Sequence, residues 1–259
     1  MKTLGLALGG GGSRGVAHVG FLKALEEAEI PVACISGCSM GAVIGAGFAA
    51  GLSADEMRKV VCALRFFSLI SLTHKRGGFS NRNKMRRLLT RYIGEKSFSE
   101  LKIPYSCIAV DMLTQRVVSF SDGDVVEAVS ASAAIPSIFL PLEKDGMRLI
   151  DGCVLRRVPV EEVKAMGAEV VVAVDVLGFR TCKEKLPGSV GVLCETFDIM
   201  DNARTQAYKR EKEGLYDLWI EPDMGDMSQY TFRNLDFAYQ KGYEAGRASI
   251  EKIKALLED

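Results

Sequence analysis

The chain has 259 residues, 48% of them hydrophobic and 25% charged, enough apolar material for a sizeable globular core. Lysine plus arginine and aspartate plus glutamate each total 33, so the charge balance gives no reason to expect nucleic acid as a partner. Seven cysteines, with no CxxC pair and no Cys/His cluster at zinc spacing, argue against a disulfide framework and a zinc motif; they read as free thiols in a reducing compartment.

The N-terminus, MKTLGLALGG, carries an apolar run too short for the core of a signal peptide. No window reaches the roughly 18 uncharged apolar residues that a bilayer span requires, so a cytoplasmic protein is expected. TLGLAL predicts a first strand, and residues 15–28 predict the helix that follows it. Between them Gly9, Gly10, Gly11 and Gly12 can bring bare backbone N–H groups against a ligand, and the start of the helix adds its positive end. A loop of this kind cradles an anion or an oxyanion. Gly10, Gly12 and Gly15 also satisfy G-x-G-x-x-G, the dinucleotide fingerprint. That alternative needs an acidic residue at the end of the second strand. VACISGCS ends without one, and Glu26, Glu27 and Glu29 lie too early.

VACIS predicts the second strand, and residues 40–50 predict an uncharged, buried helix. Between them stands Gly37-Cys38-Ser39-Met40-Gly41, a G-x-S-x-G string on a strand-to-helix turn. This is the setting of a nucleophile elbow, in which small residues two positions either side let the serine project over the sheet edge. A serine nucleophile needs a base, and only two histidines are available. His18 falls among Val16, Ala17, Val19 and Phe21, where a packed core histidine is expected. His74 stands beside Lys75 and Arg76, which would disfavour an imidazolium. Ala42 occupies the place of the lysine in an S-x-x-K pair, so a carboxylate is left as the candidate.

Residues 53–64 and 81–93 predict further helices. From Met57 to Gly94 there are ten Lys/Arg and no Asp or Glu, with the apolar run FFSLISL inside. Such a segment suits transient docking on an anionic lipid surface. The plainer alternative is a solvated basic helix with Met85, Leu88, Leu89 and Tyr92 facing the core, and both stay open. YSCIAV and RVVSF predict strands, residues 123–133 a helix, and RLI a strand ending at Asp151-Gly152. The carboxyl edge of a strand is where open α/β sheets bind ligands, and partial burial would raise an aspartate above its usual value of about 3.9 and make it a better base. An Asp-Gly turn is the structural alternative. A helix over 158–166, the strand EVVVAVDV and two amphipathic helices at about 190–212 and 233–258 complete the pattern. Alternation of this kind predicts an α/β fold, a mostly parallel central sheet flanked by helices on both faces, in a single domain.

Three motifs in order, G-G-G-x-R-G (Gly10 to Gly15), G-x-S-x-G (Gly37 to Gly41) and Asp151-Gly152, resemble the patatin-like phospholipase family. The block SASAAIPSIFLP, residues 130–141, resembles it too, and the likeness covers roughly residues 4–180. The resemblance implies a three-layer α/β/α fold of the short bacterial type. It implies a Ser–Asp dyad of Ser39 and Asp151, and an oxyanion hole of Gly10, Gly11 and Gly12 amides with Arg14 nearby and Gly15 closing the loop. It also implies a lipid or other acyl-ester substrate, with no organic cofactor and no metal. The chain departs from the family in one place, because Asp-Gly-Gly or Asp-Gly-Ala is usual and Cys153 makes it Asp-Gly-Cys. The expected function is a serine acyl hydrolase. A nucleotide-binding protein using the glycine loop and a non-catalytic scaffold are the alternatives.

Overall fold

The structure is a computed structural model that describes residues 1–62, 71–72, 78–81, 83–178 and 188–258. In chain order the strands are β1 (Leu4–Leu8), β2 (Cys34–Cys38), β3 (Ser71–Leu72), β4 (Gly78–Asn81), β5 (Tyr105–Asp111), β6 (Arg116–Phe120), β7 (Ser137–Phe139), β8 (Leu142–Lys144), β9 (Met147–Asp151), β10 (Val170–Val174) and β11 (Leu218–Ile220). The helices are α1 (Ala17–Glu27), α2 (Met40–Ala49), α3 (Ala54–Cys62), α4 (Asn83–Ile93), α5 (Val125–Ser132), α6 (Val160–Ala165), α7 (Ser189–Glu211) and α8 (Leu235–Glu258). No helix among the described residues is long and apolar enough to cross a membrane.

The main sheet runs in the order β11-β10-β1-β2-β5-β9-β8, with β6 also paired to β5. From β11 to β5 the pairings are parallel; β6, β9 and β8 join antiparallel. The sheet is therefore mixed, with a parallel centre and an antiparallel margin. A small second sheet, β3-β4-β7, escaped the sequence reading because its strands are two to four residues long. The same holds for β8 and β11, three residues each, too short to show a period.

Strand β1 is buried along its whole length, and its residues divide between two cores as a pleated strand requires. Leu4, Leu6 and Leu8 pack with Phe21 and Leu25 of α1, Ile44 of α2 and Ile253 of α8. Ala7 faces the other way, with Val171 and Ala173 of β10 and Val160 and Val163 of α6. Both faces of the sheet are covered, which gives the expected three layers. The glycine-rich turn opens not directly into the α-helix but into a 3₁₀ turn, Gly12–Val16, that precedes α1.

Helices α1 and α8 cross with their backbones in contact. A Cβ built on Gly242 would lie 1.9 Å from the carbonyl oxygen of Ala17, and one on Gly20 would lie 2.0 Å from that of Tyr239. Helix propensity favours alanine over glycine by about 1 kcal/mol, but a backbone carbonyl cannot swing away as a side chain can. The clash wins: Gly242→Ala is expected to destabilise by about 1–3 kcal/mol despite its better propensity, read as a lower midpoint in urea unfolding.

Candidate active site

Strand β2 stops at Cys38 and α2 begins at Met40, so the chain turns from strand to helix at Ser39 alone. Ser39 takes φ 51° and ψ −121°, a conformation that L side chains rarely adopt. The turn closes only because its flanks are bare. A Cβ on Gly37 would lie 2.5 Å from Cα of Ala42, and one on Gly41 would lie 2.1 Å from the carbonyl of Leu8. The Ser39 amide donates to Ser132 Oγ at 2.9 Å, which pins the elbow to the end of α5. Ser132 lies inside the 130–141 block, but nothing in the spacing marked it as a support for residue 39.

Asp151 reaches the serine along the same edge of β5 that β2 occupies. Cys38 stands opposite Ile108 of β5 and Asp151 opposite the next residue, Ala109, on the same edge, the other edge of this stretch being taken by β6. Strand β9 runs antiparallel to β5, so Asp151 arrives at this edge from the direction opposite to the parallel strands. Ser39 Oγ donates to Asp151 Oδ2 at 2.6 Å, and the amide of Cys153 donates to Oδ1 at 2.9 Å. Both side chains are buried, Ser39 at 5% exposure and Asp151 at 3%. Burial pushes the Asp151 carboxyl up to about 6, and the two hydrogen bonds only partly oppose the rise.

The glycine loop lies against this pair. A Cβ on Gly10 would fall 2.0 Å from Cys153 Sγ and 3.1 Å from Ser39 Cβ, so no larger residue fits there. The three amides expected to form an oxyanion hole are not equivalent, because that of Gly10 already donates to the Arg157 carbonyl at 3.1 Å. Those of Gly11 and Gly12, at the opening of the 3₁₀ turn, are the loop's remaining candidates. Gly15 serves by closeness, since a Cβ there would meet Met40 Cγ at 2.3 Å. Arg14 Nε donates to the Met227 carbonyl at 2.6 Å and ties the loop to the segment before α8. Gly152 is enclosed by the Ile108 carbonyl and Cys38 Sγ.

His18 is the core histidine that its neighbours suggested. It is fully buried, its Nε2 lies 2.7 Å from the Gly9 carbonyl, and burial lowers it to about 4. His74 lies outside the described residues. Strand β2 ends with no acidic side chain, so the dinucleotide alternative gains nothing from the fold.

A support for the site that the sequence did not announce begins at Arg157. Its carbonyl holds Gly10, while its buried guanidinium pairs with Asp175 just past β10 at 2.7 Å and with Asp201 of α7 at 2.5 Å. Arg204, also on α7, pairs with Asp201 and donates to the carbonyls of Cys153 and Val154. One chain of charge-assisted bonds thus links the glycine loop, the turn after Asp151 and α7.

Residues 6–164 match the family described as patatin-like phospholipase. The chain is 30% identical over 281 aligned positions to a lysophospholipase of Aspergillus fumigatus, covering 98% of this chain and 18% of that protein. It is 35% identical over 176 positions to an NTE family protein of Mycobacterium tuberculosis, covering 67% of this chain and 49% of that one. Among solved structures, VipD from Legionella pneumophila superposes with a TM-score of 0.64 at 14% identity, covering 99% of this chain and 66% of that one. Human GIVD cytosolic phospholipase A2 superposes with a TM-score of 0.53 at 11% identity, covering 99% and 59%. The fold is thus that of the patatin-like phospholipases. The chain belongs to the patatin-like phospholipase family. It spans about a fifth of the length of the fungal relatives it matches.

Because the fold raises the Asp151 carboxyl, its ionised form costs stability. The sign follows from linkage: the penalty is absent below the unfolded value of about 3.9, grows up to pH 6 and is constant above. An asparagine can accept from the Cys153 amide and donate to Ser39 Oγ, keeping both bonds. Asp151→Asn is therefore expected to raise stability at pH 7.5 by on the order of 2 kcal/mol and to change it little at pH 4, measured by denaturant unfolding at both pH values.

Proposed function

We propose that the chain hydrolyses acyl esters of lipids, with Ser39 as nucleophile and Asp151 as its base. The observation that carries this reading is the 2.6 Å hydrogen bond from Ser39 Oγ to Asp151 Oδ2 at a strained elbow. Asp151 takes the hydroxyl proton as Oγ attacks the ester carbonyl, and the carbonyl oxygen becomes an oxyanion. The amides of Gly11 and Gly12 are the proposed donors to it, Gly10's being engaged elsewhere. The alcohol leaves with the proton, and water then attacks the acyl-enzyme with Asp151 again as base. A base near 6 is ionised at neutral pH yet more basic than an ordinary aspartate, which suits the role.

Lipid as the substrate class follows from family membership and from the names of the relatives, such as the fungal lysophospholipase. The surface adds a physical reason. Helix α7, which carries Arg204, exposes Leu193, Phe197, Ile199 and Met200, each more than half accessible. Val154 and Leu155, immediately beyond the Asp151 turn, are exposed as well. An apolar band at this place offers a surface for acyl chains. The docking segment expected over residues 57–94 is described only in part, FFSLISL lying mostly outside the described residues. Within α4, Met85 and Leu89 face the core, while Lys84, Arg86 and Arg87 are exposed and Tyr92 turns outward. That helix fits the solvated basic reading.

Three outcomes are expected. A fluorescent fluorophosphonate should label Ser39, located by peptide mass spectrometry, and Ser39→Ala should lose both label and at least about 10³-fold in ester hydrolysis. Absence of label on folded protein defeats the reading. The hydrolysis rate should fall about tenfold per pH unit below about pH 6, because only the ionised carboxylate accepts the proton. Separately, Leu193→Asp/Phe197→Asp should cut turnover of phospholipid vesicles severalfold while sparing a soluble short-chain ester. Equal loss on both substrates would remove α7 as the lipid-facing surface.

A further inference from the structure

The tertiary fold assembles a ligand set at Cys38, Asp151 and Cys153 that the sequence does not display. One donor atom from each lies within 4.8 Å of the other two. Cys38 Sγ and Cys153 Sγ are 3.6 Å apart. In a tetrahedral zinc site with Zn–S near 2.3 Å the two sulfurs stand about 3.8 Å apart, so these thiols need move only a few tenths of an ångström. Their backbones are already held: Cys38 ends β2, and the Cys153 amide is bonded to Asp151 Oδ1. Two sulfurs and a carboxylate leave one position of a tetrahedron for water or for an incoming group.

We propose that Cys38 Sγ, Cys153 Sγ and the Asp151 carboxylate form a site for a thiophilic divalent cation of the zinc class, and that its occupation switches the Ser39–Asp151 pair off. The second half rests on the reading of Asp151 as the base. Sulfur donors select zinc-like ions over magnesium and calcium, which prefer all-oxygen shells. On binding, each thiol releases its proton to solvent, and the cation is held by two thiolates and one carboxylate. A carboxylate engaged by the cation no longer accepts the Ser39 proton, so attack on the ester stops. Access runs past Cys153, which is partly exposed, whereas Cys38 is buried. The Gly or Ala usual in the family after Asp-Gly supplies no sulfur, so the site is a property of the Asp-Gly-Cys form and not of the family's shared chemistry.

The test is a Co²⁺ titration of the full chain under argon with thiols kept reduced. One equivalent should produce a thiolate-to-cobalt charge-transfer band in the near ultraviolet. Zn²⁺ should displace it, and Mg²⁺ and Ca²⁺ should not. Cys153→Gly and Cys38→Ala, each checked for a native unfolding transition, should lose the band and bind Zn²⁺ at least about tenfold more weakly, since even outer-shell changes cost that much. Asp151→Asn keeps both thiols and should weaken Zn²⁺ binding as well. Fluorophosphonate labelling of Ser39 should slow with Zn²⁺ in the wild type and not in Cys153→Gly. No band at stoichiometric Co²⁺, or a band that survives in both folded cysteine variants, overturns the proposal. Labelling of metal-free protein is read separately: a cysteine-dependent band with no label leaves the cation site standing and removes the hydrolase reading, and the reverse result does the opposite.

Discussion

The hydrogen bond between Ser39 Oγ and Asp151 Oδ2 is made inside the protein, where an ionised carboxylate is expensive, and that cost shapes everything around it. Water is largely excluded, so the carboxylate takes its compensation from the Ser39 hydroxyl and the Cys153 amide. These two bonds do not cancel the effect of burial, and the group stays more basic than an exposed aspartate. Stability is given up at the place where basicity is gained, a common pattern at functional sites. The serine is held under a similar tension, with a positive φ that persists because the strand, the helix and Ser132 leave it no alternative.

Precision at this pair depends on groups that never touch it. The Arg157 carbonyl takes up the Gly10 amide and so fixes which face of the loop its other donors present. The guanidinium of the same residue is buried between Asp175 and Asp201, and removing both acids would leave a buried charge without compensation. Arg204 extends the network to the carbonyls of the turn that follows Asp151. Helix α7 therefore joins two jobs, stiffening the turn after Asp151 from within and presenting apolar side chains without. The apolar outer face of α7 and the turn after Asp151 are mechanically linked through one element.

The glycines show how local sequence and packing divide the work. Gly37 and Gly41 were legible in advance, because the elbow motif is defined by chain geometry within five residues. Gly10 was legible as part of a loop, but its contact with Cys153 depends on a turn far along the chain. Gly242 was legible only as part of the stripe of an amphipathic helix and Gly20 not at all; why each must be glycine follows from α1 and α8 crossing backbone to backbone. The bond made by Arg14 has the same origin. Its place in the loop is read from the sequence, but the carbonyl it binds belongs to the segment before α8, more than 200 residues on.

By itself the sequence determined the alternation of strands and helices, the strand-loop-helix and strand-elbow-helix units, and the placing of His18 in the core. Those features are written in periods and spacings of a few residues, set by backbone geometry. The tertiary structure alone decided that β9 runs antiparallel and so brings Asp151 end to end with β2 on one edge of β5, since pairing direction depends on contacts distant in sequence. It also decided that the Gly10 amide is engaged, that Arg157 and Arg204 brace the loops, and that two thiols 115 residues apart in sequence stand 3.6 Å from each other. Each of these is a meeting of segments with no shared local pattern, and only the closed sheet brings them within reach.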